Sequence, residues 1–149
     1  MSEVQIEIQK QFIQQQEKLV YYIIALSVSA IGFAIYQTTG QRLKVIQIPI
    51  GLAVICWSIS IYCGLKFLKY VISNLYANNE YFEIKKGNNN EIGNHPDAIK
   101  AAVKGYKAAM AINQNRMKNY FKYQSLLFYV GIILFIIWHL LEMYCLITE

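Results

Sequence analysis

Residues 97–124, DAIKAAVKGYKAAMAINQNRMKNYFKYQ, pass without a helix breaker into residues 125–147, SLLFYVGIILFIIWHLLEMYCLI. In the first piece Ile99, Val103, Tyr106, Met110, Asn113, Met117 and Tyr120 follow one another in steps of four and three. That is a heptad seam with one polar position, Asn113. Beside it runs a line of mostly small residues, Ala98, Ala102, Gly105, Ala109 and Ile112. The second piece is long and apolar enough to cross a bilayer, for which about 20 residues suffice. A basic helix is therefore fused to a membrane span.

The rest of the chain has the same character. Its 149 residues allow one domain, and 56% of them are hydrophobic while 15% are charged. The charged share of an ordinary globular domain is roughly 25%. Here the charge is also segregated, which describes a small polytopic membrane protein. No cleaved signal peptide is expected, since residues 1–18 are polar and Gln-rich and no small-residue cleavage site follows the first apolar run. Cys56, Cys63 and Cys145 all fall in expected spans and lack metal-ligand spacing, so they read as small packing residues.

Residues 1–18 place Val4, Ile8 and Phe12 four apart, with Ile13 beside them, which predicts an N-terminal amphipathic helix. The alternation of Val4, Ile6 and Ile8 leaves a short strand open there. The first span is 19–36, about 27 Å long at 1.5 Å per residue, with Tyr21, Tyr22 and Tyr36 at its ends. Ala25, Ser29 and Gly32 or Phe33 form a loose small-residue track, suited to packing on the next span or on another subunit. Residues 37–44 are a short turn around Gly40, which forces an antiparallel hairpin. The second span is 45–65, with Pro49 in its first turn and Gly51, Ser58, Ser60, Cys63 and Gly64 along it.

Residues 66–123 read as a cytoplasmic helix–loop–helix that extends spans two and three as a hairpin. Phe67, Leu68, Val71, Ile72 and Leu75 continue the second helix to about residue 76. Residues 77–96 carry six Asn and two Gly and read as an exposed loop, with a brief extended piece at Tyr81, Phe82 and Ile84. Pro96 then opens the next helix, with Asn94 or His95 as its cap. The fold class is therefore all-α integral membrane, with three transmembrane helices, the third at 125–147.

Orientation follows from the cations. Residues 66–123 hold ten Lys or Arg (66, 69, 85, 86, 100, 104, 107, 116, 118 and 122), Lys10 and Lys18 precede the first span, and only Arg42 and Lys44 occupy the first turn. The N-terminus is thus expected in the cytoplasm and the C-terminus outside, in an inner (cytoplasmic) membrane. Lys66, Lys69, Arg116, Lys118 and Lys122 flank the bilayer, where each gains about 1 kcal/mol from anionic lipid. The same charge would also suit an anionic partner. KNYFKY interleaves Tyr and Lys, but at a span boundary it anchors an interface better than it stacks bases, so nucleic acid is not an expected partner.

Chemistry has few candidates. His139 and Glu142, three apart on one helix face, could form a proton relay, a ring at a pore mouth or half of a metal site. Trp138 and Tyr144 mark an interface beside them, so the plainer reading puts Glu142 among headgroups. Ser29, Ser58 and Ser60 either bond back to their own helices or offer a polar track to water. His95 reads as a cap or solvent residue. No nucleophile–base pattern, phosphate loop or metal motif occurs, so neither catalysis nor a cofactor is expected.

The seam has two readings as well. It can pair with the extension of the second span, or its distal part, Ile99 to Met110, can be left uncovered and join a second subunit or a protein partner. In outline the chain resembles the small membrane effectors of bacterial anti-phage systems, in which a few spans join a short helical cytosolic part; the likeness is of architecture, and no motif carries it. The leading expectation is a homo-oligomeric bacterial inner-membrane protein that forms or gates a pore. The alternatives are a membrane-anchored adaptor or accessory subunit that recruits a protein partner through its cytoplasmic helices, and a phage-encoded lysis or exclusion protein.

Overall fold

The computed structural model describes residues 3–40, 45–86 and 95–148, with side chains from 7 to 145 inside those ranges except residue 9. The cations Arg42 and Lys44, the Asn-rich stretch 87–94 and the side chains of Val4 and Ile6 lie outside the described residues. Three α-helices account for nearly all of the rest: α1 (Glu3–Thr38), α2 (Ile48–Lys86) and α3 (Pro96–Thr148), with one 3-10 turn at Val45–Gln47. The segments Lys10–Thr38, Val45–Lys86 and Pro96–Cys145 are each long and apolar enough to cross a membrane. Only 22%, 33% and 11% of their most apolar windows are buried within the protein. That much exposed Leu, Ile and aromatic surface suits lipid better than water.

Two expectations about element limits change. The N-terminal segment and first span are a single helix, because nothing between Lys18 and Leu19 breaks the backbone. Ile8 and Phe12, on the expected apolar face, are exposed. The second helix does not end near residue 76 but continues to Lys86, so Tyr81, Phe82 and Ile84 are helical rather than extended. Ala77 and Ile84 are buried there, and that packing outweighs the poor helix propensity of Asn78 and Asn79. The helix ends follow local chemistry. α1 stops at Thr38 and turns through Gly40, whose φ of 81° suits a residue without a β-carbon. At the start of α3 the His95 carbonyl accepts from Ile99 N at 3.1 Å, so His95 is the cap and Pro96 the first helical residue.

The chain divides into two compact units, Met1–Gly64 with Phe121–Glu149, and Leu65–Tyr120. In the first, α1 runs parallel to α3, since Val20 meets Gln124 and Phe33 meets Phe135, while α2 is antiparallel to α3, since Ser60 meets Gln124 and Trp57 meets Phe135. Its core is Ala34, Ile50, Ala53, Trp57 and Trp138, with Ile31, Val54, Phe128, Ile132, Leu134 and Phe135 packed around it. In the second unit α2 and α3 form an antiparallel pair, with Tyr70 stacked on Tyr120 and Lys107 over the Tyr81 ring. Phe67, Val71, Ala77, Ile84 and Met117 are its buried apolar residues.

Candidate functional site

The buried residues of α3 recur every seven positions: Met117, Gln124, Gly131 and Trp138. Half-buried Leu127 and Leu134 fill the intermediate steps, so the seam of residues 99–120 continues through the apolar half of the helix. α2 answers with Ile50, Ala53, Trp57, Ser60 and Gly64, and α1 with Val20, Ile23, Ser27 and Ala34. Several of these seam positions are polar, and they are concentrated in the membrane-type unit.

Gln124 is the centre of this polar line. It is fully buried, its Nε2 donates to the Val20 carbonyl at 3.3 Å, and its main-chain carbonyl accepts from Ser60 Oγ at 2.8 Å. One glutamine thereby ties α1 and α2 to α3. A β-carbon on Gly64 would lie 2.5 Å from Gln124 Nε2 and 2.9 Å from Ile24 Cδ1, so any larger residue there makes the amide and the Ile24 methyl shift. One heptad further along α3, Gly131 meets the Trp57 indole edge so closely that any side chain would overlap Nε1. One heptad beyond Val20 on α1 stands Ser27, also fully buried.

These positions leave polar atoms open. Among the described residues Ser27 Oγ, Trp57 Nε1, Gln124 Oε1 and Trp138 Nε1 are buried without a hydrogen-bond partner in this unit, as is Asn74 Oδ1 in the second. Each such atom costs about 1–3 kcal/mol in a protein interior, and more where hydrocarbon replaces water outside.

The expected site residues divide. Ser29 and Ser58 are exposed and bond back to the carbonyls of Ala25 (3.0 Å) and Val54 (2.8 Å), whereas Ser60 bridges two helices. The track of Ala25, Ser29, Gly32 and Phe33 is exposed, and a β-carbon on Gly32 would meet nothing within 4 Å. It therefore does not pack on the second span. His139 is exposed and Glu142 half-buried; with Phe33, Gln37, Phe135 and Trp138 they line a cavity of about 300 Å³ between α1 and α3. Among the described residues no cluster of three His, Cys, Asp or Glu could hold a metal ion.

In the second unit the seam residues Ile99, Val103, Tyr106, Met110, Asn113 and Tyr120 are half-buried and Met117 is buried, because α2 reaches far enough to run beside them. Asn113 Nδ2 donates to Ser73 Oγ at 3.1 Å. Arg116 Nη1 donates to the Tyr70 hydroxyl at 2.9 Å, with its guanidinium 5.4 Å from that ring. Ala102 is half-buried, but Ala98, Gly105, Ala109 and Ile112 are exposed, so the small-residue line faces away from α2. Lys69, Arg116, Lys118 and Lys122 are exposed and Lys66 is half-buried.

Sequence reasoning passed over Gln124, Ser27, Trp57 and Gly131. The signal was present for two of them: extending the four–three stepping past Tyr120 lands on Gln124 and Gly131. Comparison with protein-family models, curated proteins and solved structures finds no match to this chain.

Proposed function

We propose that this chain is a small homo-oligomeric protein of a bacterial inner membrane that forms or gates a pore, with its N-terminus in the cytoplasm and its C-terminus outside. The observation that carries this reading is the line of buried, unpaired polar atoms at Ser27, Trp57 and Gln124. Three helices are too few to enclose a water path, so conduction requires several copies. The exposed track of Ala25, Ser29 and Gly32 supports assembly, since small residues let helix backbones approach closely in lipid. In such an assembly a modest rotation of the helices turns Ser27, Ser60 and Gln124 towards a common water-filled axis. A membrane-disrupting defence effector would work in this way. The exposed cations Lys69, Arg116, Lys118 and Lys122, with Lys66, would hold the cytoplasmic end against anionic lipid.

The test is reconstitution into dye-loaded liposomes, with copy number measured in parallel in nanodiscs. Oligomers that leak dye, with leak reduced by Gln124→Leu, support the pore. A monomer that never leaks, even at high protein-to-lipid ratio, overturns it. One observation favours a second reading, a membrane-anchored adaptor: Ala98, Gly105, Ala109 and Ile112 present an uncovered face on the basic helix. That reading gains if Gly105→Leu abolishes capture of a defined protein partner while leaving liposomes tight.

A further inference from the structure

Between Asp97 and Glu142, α3 carries six cations (Lys100, Lys104, Lys107, Arg116, Lys118 and Lys122) and no acid. At 3.6 residues per turn, Lys100, Lys104, Lys118 and Lys122 fall within about 40° of one another, on a single face of the helix. Lys107 stands at the edge of that face, its Nζ 5.8 Å from the centre of the Tyr81 ring on α2. Lys100, Lys104 and Lys118 are exposed, as are Ala111, Gln114 and Asn115 between them. Like charges one turn apart, as at Lys100 and Lys104, work against the helix that carries them. The acids that α2 brings to this unit, Glu80 and Glu83, are half-buried and already engaged.

Topology and lipid explain only the near end of this row. The orienting effect of Lys and Arg is counted within about 15–20 residues of a span, and the potential of an anionic leaflet fades over a Debye length of about 8 Å. Lys104 and Lys100 precede residue 125, where the third span is read to begin, by 21 and 25 residues. At 1.5 Å per residue that is about 31 and 37 Å of helix.

We infer that the lysine face of α3 docks an acidic helix of a protein partner, with carboxylates in register with Lys100, Lys104 and Lys118. Two helices side by side share one period, so acids three, four or seven apart meet successive lysines, as flanking charges do in a coiled coil. A nucleic acid also presents anions in a row. Proteins that hold single strands, however, add rings or guanidinium planes on which bases stack, and this face offers only Lys, Ala, Gln and Asn. The inference rests on the adaptor reading, to whose partner it gives a chemistry, and it stands whether or not the protein conducts.

The experiment uses the full chain in nanodiscs of neutral phosphatidylcholine. The probe is a synthetic fluorescent helical peptide with glutamates on one face at steps of four, three and four. Its reference is an isomer with the same glutamates spread around the helix. Anisotropy is read at physiological salt. Tighter binding of the one-faced peptide, weakened about fivefold to tenfold by Lys100→Gln with Lys104→Gln, supports the site. Lys85→Gln with Lys86→Gln removes the same charge from the exposed end of α2 and is expected to leave that binding unchanged. Equal binding of the two isomers, equal loss in the two double variants, or no binding of either peptide overturns the inference. So does tighter binding of single-stranded polyuridylate, or loss of the peptide when phosphatidylglycerol enters the nanodisc. All four lysines exchanged are exposed, and unchanged helix content by circular dichroism confirms that binding is what was altered. A protein partner held through Gly105 but indifferent to Lys100 and Lys104 would leave the adaptor reading in place and overturn this one.

Discussion

Gly64 and Gln124 meet so closely that a β-carbon on the glycine would stand 2.5 Å from the amide nitrogen of the glutamine. The contact allows that amide to reach the Val20 carbonyl. Gly64→Ala is expected to destabilise the protein by about 1–3 kcal/mol, since the amide has to move and its hydrogen bond is lost with it. Gly32→Ala and Gly51→Ala, where a β-carbon meets nothing within 4 Å, are expected to leave the monomer as stable as before or more stable by up to about 1 kcal/mol, through the higher helix propensity of alanine. Thermal unfolding in detergent followed by circular dichroism separates the two outcomes. Equal effects at all three glycines would remove the special role given to the Gly64 contact.

A second close approach, Gly131 against the Trp57 indole, makes a prediction about coupling. Gly131→Ala overlaps Trp57 Nε1, while Trp57→Leu removes the ring from the core it shares with Ala34, Ile50 and Trp138. Each is destabilising alone, the second by about 2–4 kcal/mol. In the double variant the alanine no longer meets an indole, so its cost should fall by about 1 kcal/mol or more relative to the wild-type background. Strict additivity in a double-mutant cycle would mean that the two residues do not share a contact in the folded protein.

The second unit is fastened by an aromatic and guanidinium cluster. Tyr70 stacks on Tyr120 at 5.6 Å and 19°, and its hydroxyl accepts from Arg116. Tyr70→Phe keeps the ring and the cation–π contact and removes one exposed hydrogen bond, at a cost of about 0.5 kcal/mol. Tyr70→Leu removes the stack and the cation–π contact too and should cost about 1–2 kcal/mol more. Hydrogen exchange along 65–86 and 96–120 reads the difference directly. Faster exchange in the Leu variant, confined to these stretches, is the expected result.

How far these features were legible varies with the contrast between polar and apolar residues. From Ile99 to Tyr120 the seam stands out because lysines and asparagines occupy the other faces, and apart from Ala102 the buried and half-buried positions found there are those of the heptad. Beyond Gln124 nearly every residue is apolar, since lipid-facing and core-facing positions demand the same chemistry, and the periodicity disappears into the background. The exceptions, Gln124 and Gly131, a polar and a small residue on the continued four–three stepping, carried the signal but were passed over. The end of α2 was hidden for a different reason. Asn78 and Asn79 carry turn propensity, but Ala77, Tyr81 and Ile84 continue the spacing of Val71 and Asn74, and burial against α3 decides in favour of helix. A tally of Asn and Gly does not contain that tertiary contribution. The α1–α3 cavity was half legible: the pairing of His139 with Glu142 is local, whereas the arrival of Phe33 and Gln37 depends on α1 and α3 running parallel.

The proposed orientation has a direct chemical readout in the three cysteines. Cys63 is buried within the bundle, Cys56 is half-buried and Cys145 is exposed three residues beyond Glu142, near the end of α3. A membrane-impermeant maleimide should therefore label Cys145 in vesicles whose outer face is the external side of the membrane, and not in inverted vesicles. Cys63 should stay unlabelled in both until the protein is unfolded in sodium dodecyl sulfate. Placing a single cysteine at Ser73, exposed in the second unit, in a variant lacking the native three should give the reciprocal pattern, because it lies beyond the inner end of the second span whereas Cys145 lies at the outer end of the third. Labelling of positions 73 and 145 from the same side would abolish the third crossing. A fully swapped pattern would invert the orientation and move Lys66, Lys69, Arg116 and Lys118 away from the leaflet whose anionic lipids are meant to hold them.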